Sequence, residues 1–300
     1  MILFMSNCYV TKLNPALAEK MKKDLVEKGF TLTFPPYTIF SATTSGVSCS
    51  FYLSGKFTVQ GKDKDDFIIF YLEPEILKNV SYSHPKSTID QKPRIGCDEA
   101  GKGDFFGPLC ICSFYFNPSQ TDFLINLGVT DSKTLTDPKI SQIARELKNH
   151  CEYETLTIFP KKYNELYEKF QNLNYLLGWG HVKAMTSLSE RIGCKEVLVD
   201  QFVKPPFMTN LLQRSGNNDI NLTERTKAEE DIAVAAASIL ARDAFVKGMD
   251  KLSNDYGMQI PKGASKKVIL AGKKFLSLHG KGMLNEVSKL HFKTYNDLFV

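Results

Sequence analysis

Between Asn79 and Pro93 the chain runs through Ser, His, Pro and Lys with no apolar periodicity, and the patterning differs on its two sides. A stretch of that composition cannot build a core of its own, so it predicts a linker between two separately packed parts. We place the boundary near residue 88, giving one domain over 1–88 with its linker and a second over 89–300. A chain of 300 residues is long enough for this, because single cores stop growing at about 250 to 300 residues.

On the amino-terminal side, Asn14-Pro15 reads as a helix N-cap followed by proline at the first helical position. Leu17, Met21, Leu25 and Val26 then recur at helical spacing until Gly29 ends the helix. Four segments rich in Tyr, Phe, Thr, Ser and Val follow, at Tyr37–Thr43, Val47–Leu53, Phe57–Gln60 and Phe67–Leu72. Turn residues separate them at Ser45-Gly46, Ser54-Gly55 and Gly61-Lys62-Asp63-Lys64. The expectation is a small α+β domain, an antiparallel meander with one face covered by the helix. Its other face, carrying Ser, Thr, Tyr and Lys, is either solvated or a docking surface for an extended ligand.

From Arg94 onward strands alternate with longer helices. Arg94–Asp98, Pro108–Phe116, Glu152–Ile158 and Lys195–Asp200 read as strands, and Asp137–Asn149, Asn174–Arg191 and Asp231–Lys247 as helices. Such alternation predicts an α/β sheet covered by helices.

Composition narrows the function classes. With 43% hydrophobic and 24% charged residues, disorder and coiled coil are excluded as the main state. The most apolar stretches, Phe67–Leu72 and Pro108–Phe116, fall short of the roughly 20 residues that cross a bilayer. Met1-Ile-Leu-Phe-Met-Ser-Asn7 lacks the basic start of a secretory signal, so no membrane association and a cytoplasmic location are expected. Seven cysteines, an odd count, read as reduced thiols; Cys110 and Cys112 lie on one face of an apolar strand with no partner pair following, which favours core packing over a metal. The net charge of +5 is concentrated in Tyr256–Val300, where eight lysines face two acids. That tail suits a polyanion, or is a solvated lysine-rich surface.

The densest chemical signal is Ile95-Gly-Cys-Asp-Glu-Ala-Gly-Lys-Gly-Asp-Phe-Phe-Gly-Pro108. Gly96 to Lys102 satisfies G-x-x-x-x-G-K, so a phosphate-binding P-loop is the first hypothesis. It fails where the magnesium-binding hydroxyl should follow the lysine, because Gly103 stands there, and Asp98 and Glu99 would put negative charge inside the phosphate cradle. Two carboxylates at a strand end are better cation ligands, although an acidic turn is the plain alternative. Alternation along a strand sends them to opposite faces, so convergence on one site would need the chain to turn directly after them, as Gly101 and Gly103 permit. Asp200 ends a second apolar strand, where α/β sheets gather ligands. A third acidic group, Lys227-Ala-Glu-Glu-Asp231, precedes an alanine-rich helix, where acids also complement the helix dipole. Oxygen ligands without His or Cys favour magnesium or manganese over zinc, and point to metal-dependent nucleolytic hydrolysis.

The string Gly96-Cys-Asp-Glu-Ala-Gly-Lys-Gly-Asp-Phe-Phe-Gly-Pro-Leu109 resembles the opening motif of type 2 ribonucleases H, and its Asp-Phe-Phe-Gly-Pro version resembles the ribonuclease HIII branch. Further blocks agree in order: Asp131-Ser-Lys-Thr-Leu-Thr136, Asn172 to His181, Val199-Asp-Gln-Phe202, Thr226-Lys-Ala-Glu229 with Ala235 to Arg242, and Lys289-Leu-His-Phe292. The resemblance spans Gly96 to the end. It implies a ribonuclease H-like catalytic domain, a mixed central sheet flanked by helices, preceded by a domain resembling half of a TATA-binding protein. It implies an endoribonuclease that cuts the RNA strand of an RNA/DNA hybrid with Mg2+ or Mn2+ and leaves 5′-phosphate and 3′-hydroxyl ends; a monomer is the separate expectation.

Position by position, the resemblance assigns Asp98, Glu99 and Asp200 to the metals and Glu229 as the fourth catalytic acid. The spacing from Lys-Ala-Glu to the alanine-rich helix is one residue shorter than the family pattern, so Glu230 stands as the alternative. Gly101, Lys102 and Gly103 correspond to a turn that contacts the minor groove beside the scissile ribonucleotide. Main-chain groups that approach closely can read a 2′-OH, which is how RNA is told from DNA. Asp131-Ser132-Lys133 reads as cleft or capped helix start, Trp179 as core, His181 as structural, and His279 and His291 as phosphate contacts or packing residues. The rivals are the P-loop enzyme and a nucleic-acid binding module without catalysis.

Overall fold

The computed structural model describes residues 8–79, 82–83 and 89–300. The boundary expected near residue 88, much of the expected linker and the first seven residues lie outside the described residues. By packing, the chain divides into two compact units, Met1–Asp90 and Gln91–Val300.

The amino-terminal unit runs β1 (Cys8–Lys12), α1 (Ala18–Glu27), β2 (Thr31–Thr33), β3 (Thr38–Thr43), β4 (Ser48–Tyr52), β5 (Lys56–Gln60) and α2 (Lys64–Phe67), which continues in wider turns over Ile68–Leu77. Asn14 caps the turn into α1, its side chain accepting from the Ala16 N–H. The five strands form an antiparallel sheet in the order β1-β5-β4-β3-β2. Phe40, Ala42, Cys49, Phe51, Phe57 and Val59 point to one face and pack with Met21 and Leu25 of α1 and with Ile68 and Leu72. The alternate residues of β3 to β5 leave the other face polar, with the Ser41 and Ser50 hydroxyls 2.7 Å apart.

Phe67–Leu72 is helical, a correction to the strand expected there. A short unbroken apolar run does not distinguish the two periods. Packing decides it: Phe67, Ile68, Tyr71, Leu72 and Ile76 turn inward at helical spacing while Phe70 is left 75% exposed. The edge strand β1 and the three-residue β2 were not foreseen.

The carboxy-terminal unit runs β6 (Arg94–Ala100), β7 (Leu109–Phe116), α3 (Thr121–Leu127), α4 (Asp137–His150), β8 (Tyr153–Ile158), α5 (Pro160–Phe170), α6 (Leu173–Ile192) and β9 (Glu196–Asp200). It continues through α7 (Phe207–Arg214), β10 (Asn221–Arg225), α8 (Ile232–Asp255), α9 (Lys266–His279), α10 (Leu284–Val287) and α11 (Lys293–Asp297). The sheet order is β10-β9-β6-β7-β8; β7 and β8 pair antiparallel, while β9 runs parallel to both β6 and β10, giving the mixed sheet expected.

Two long helices pack on opposite faces of this sheet. A Cβ on Gly96 would sit 2.3 Å from the Ala233 carbonyl carbon, so α8 approaches β6 closely, with its buried alanines 233 and 235–237. On the other face Ile95 and Cys97 pack with Val182, Met185 and Leu188 of α6. Strand β10 and helices α5 and α9 were not foreseen. Among the described residues no helix is long and apolar enough to cross a membrane.

Candidate active site

A cavity of about 650 Å³ opens at the end of the sheet where β6 and β9 finish, bordered by Asp98, Glu99, Gly101, Lys102, Gly103 and Asp200. Six of the predicted site residues are thus brought together. The geometry differs from expectation in one respect. Strand β6 continues through Ala100, still paired to Cys110, so no turn follows Glu99 directly.

The two acids therefore keep the opposite orientations that strand alternation dictates. Asp98 follows Gly96 toward α8, where the Ser238 hydroxyl bonds it, and its Oδ1 accepts from the Glu99 N–H at 2.8 Å. Glu99 follows Cys97 toward α6, where His181 Nε2 lies 3.1 Å from its Oε2. Asp200 lies beside β6 in the parallel pair, one residue beyond Val199, which registers with Cys97. It shares the α8 side with Leu198, which packs on Ala228 and Val234.

Glu229 does not border the cavity. It sits in a single turn, Ala228–Glu230, that leads into α8, and this turn is tied to the site because Asp200 Oδ1 accepts from the Ala228 N–H at 2.9 Å. Its carboxylate lies 3.6 Å from the ammonium of Lys133, which does line the cavity, whereas Glu230 is exposed. Asp231 caps α8 and forms a buried pair with Arg94 at 2.7 Å. Among the described residues, no three His, Cys, Asp or Glu side chains are close enough together to hold a metal ion.

Electrostatics separate the two neighbouring acids. Burial, and then the negative charge of Glu99, push the Asp98 carboxyl up from 3.8 to about 7. Burial acts on Glu99 in the same direction, but His181 and Lys102 outweigh it and hold Glu99 below its usual range. Burial opposes charge on His181, yet the Cys97 thiol and the Glu99 carboxylate raise it to about 9. A protonated His181 paired to an ionised Glu99 follows.

Sequence reasoning read His181 as structural and missed this contact. Phe202 was missed too: its ring stacks on His181 at 5.4 Å and lies 5.3 Å from the Lys102 ammonium, so it touches both partners of Glu99. Their membership in the quoted blocks was the only available signal. Asp131 caps the turn Ser132–Thr134, whose Ser132 hydroxyl meets that of Ser238 at 2.7 Å. His279 and His291 pack against aromatic rings, His291 stacked on Tyr167 at 4.0 Å and His279 tilted against Phe275 at 4.7 Å.

The P-loop reading is overturned. A P-loop cradles phosphate at a helix N-terminus, whereas Gly96 lies inside β6 and the chain after Lys102 turns into β7.

Comparison with known proteins agrees with this architecture. The pattern of the ribonuclease HII family matches residues 95–295, and that of a domain of unknown function matches residues 8–83. Ribonuclease HIII of Protochlamydia amoebophila is 50% identical over 286 residues, 95% of each chain, and that of Chlamydia caviae is 44% identical over 296 residues, 98% of each. The crystal structure of Bst-RNase HIII in complex with Mn2+ superposes with a TM-score of 0.68 at 25% identity, over 97% of this chain and 98% of that one. The chain belongs to the type 2 ribonuclease H family and, within it, to the ribonuclease HIII branch. Its carboxy-terminal unit has the ribonuclease H fold, and its activity is that of an endoribonuclease on RNA/DNA hybrids.

Proposed function

We propose that Asp98, Glu99 and Asp200 carry the cleavage of the RNA strand, that Glu229 completes the site, and that 5′-phosphate and 3′-hydroxyl ends result. One observation carries this reading: Asp98 and Asp200, on adjacent parallel strands, border the same cavity as the Gly101-Lys102-Gly103 turn. The residues fit a hard divalent ion, since the acids that border the cavity offer oxygen and, among the described residues, no Cys or His lines it. Asp98 and Asp200, which share the α8 side of the sheet, and Glu99, which borders the same cavity from the α6 side, would hold magnesium or manganese, and the ion would supply the Lewis-acid charge that phosphodiester hydrolysis needs.

The chain's own residues do the rest. Gly103 has open space where a Cβ would be, so ligand atoms can approach the main chain there and read a 2′-OH. His181 and Lys102 keep Glu99 ionised and fixed in direction. Glu229 stands outside the cavity lining, 3.6 Å from the ammonium of Lys133, and would complete the site from there. The amino-terminal unit, 1–88 with its linker, serves as a clamp whose polar sheet face contacts phosphates and sugars. The enzyme works as a cytoplasmic monomer.

A cleavage assay tests this, using a labelled RNA/DNA hybrid, an RNA duplex and a DNA duplex with one ribonucleotide, each with Mg2+ or Mn2+. Asp98→Asn and Asp200→Asn should abolish hybrid cleavage while hybrid binding survives, because metal ligation acts in the transition state and basic surfaces supply affinity. Turnover comparable to wild type in either variant removes that residue from the site.

A further inference from the structure

Lys289 belongs to the basic tail, yet it is fully buried. Its ammonium donates to the carbonyls of Asp104 and Gly107, each at 2.8 Å, and reaches that of Phe106 at 3.5 Å, with the Tyr163 ring 5.5 Å away. An ammonium has three donors and no acceptor, and one taken out of water must be met by oxygens. Burial pushes Lys289 down to about 7, and the nearby Asp104 and Cys110 oppose this. All three carbonyls come from the four residues that follow the Gly101-Lys102-Gly103 turn, so this loop is wrapped around the charge.

The segment carrying Lys289 is itself anchored. Its main-chain N–H donates to Phe105 O at 2.8 Å, and the Gly107 N–H donates to Val287 O at 3.0 Å. The buried Asn164 side chain of α5 donates to Ser288 O at 2.9 Å and accepts from the Leu290 N–H at 3.0 Å. On its upstream side the turn is fixed at Gly101, whose φ is +85° and whose Cβ would lie 2.2 Å from Pro108 O. Gly103 has no such neighbour, so its restraint comes from the Asp104–Gly107 loop.

We propose that Lys289 is a positioning residue that fixes the main chain of Gly101–Gly103 for selection of the ribose. This rests on the reading of that turn as the substrate-contacting element. Lys289 touches no substrate; it acts by holding carbonyls so that the adjoining main chain is preset, and recognition by main-chain groups falls steeply with misplacement.

The test uses the full chain with Lys289→Met, which keeps length and removes charge. Binding of an RNA/DNA hybrid and of a DNA duplex of the same sequence is measured in chelator, alongside amide hydrogen exchange. The hybrid-over-duplex preference should fall at least tenfold, and exchange over residues 101–107 should rise while β9 and α8 keep wild-type protection. A preference within twofold of wild type, or a loss of protection spread evenly over the unit, overturns the proposal. Should Lys289→Met not fold, Asn164→Ala loosens the same segment with the ammonium in place; a smaller but equally selective loss is expected, and an unchanged preference overturns the proposal. A wild-type protein with no preference for the hybrid refutes the reading of the turn itself, whereas a preference that both variants retain refutes only the role of Lys289.

Discussion

The carboxylates at the end of β6 make a quantitative prediction for Asp98→Asn. In the folded chain, burial and the charge of Glu99 lift the Asp98 carboxyl from 3.8 to about 7, so the native state holds this proton more tightly than the unfolded chain does. Between about pH 4 and pH 7 the native state therefore binds the extra proton, and the metal-free protein loses stability as pH rises through that window. At about 1.4 kcal/mol per pH unit the interval from 3.8 to about 7 amounts to about 4 kcal/mol, and solvent screening at the open cavity reduces this to about 2. Asparagine has the same shape, can still accept from the Glu99 N–H and does not ionise. Asp98→Asn should thus unfold like wild type near pH 4 and be about 2 kcal/mol more stable at pH 8 in chelator. Urea unfolding of both proteins from pH 4 to pH 9 measures the difference. Added magnesium should narrow the gap by stabilising wild type more than the variant. A difference that does not vary with pH, or a variant less stable than wild type at pH 8, refutes the strained-carboxylate account.

Three more outcomes are expected. Glu229→Gln should lose most single-turnover activity and Glu230→Gln little, since Glu230 is exposed and Glu229 is paired with Lys133; the reverse result, read in the same cleavage assay, moves the fourth acid by one position. Gly101→Ala should cost about 2 kcal/mol or more in thermal melting, given its φ of +85° and the contact with Pro108 O, while Gly103→Ala should melt like wild type and weaken hybrid binding about tenfold. An unchanged affinity for Gly103→Ala would separate that glycine from the substrate. Removing residues 1–88 should weaken hybrid binding far more than it slows cleavage at saturating substrate, and flatten the salt dependence of log affinity by about 0.7 to 0.9 for each phosphate the protein no longer neutralises; an unchanged slope argues against a clamp.

The order of the acids along the chain, and the sheet that carries three of them, were legible because both are local properties. Asp98, Glu99 and Asp200 each follow an apolar strand pattern, and Gly101 and Gly103 mark a turn wherever they occur. Helix α8 was legible from its alanines, and α1 from its capped start. Side-chain identity and period are written residue by residue, so they survive without knowledge of the partner surfaces. What the tertiary structure decided is which surfaces meet. Phe67–Leu72 became helix because its inward residues had to match the face of an existing sheet. Glu99 turned away from Asp98 to His181 because β6 kept its pleat to Ala100 under a strand register set by Cys110. Lys289, one of eight lysines in a tail that reads as surface charge, was drawn inside because carbonyls about 180 residues earlier in the chain surround it. Contacts of that range depend on packing between distant segments, and the local pattern of a sequence carries no record of them.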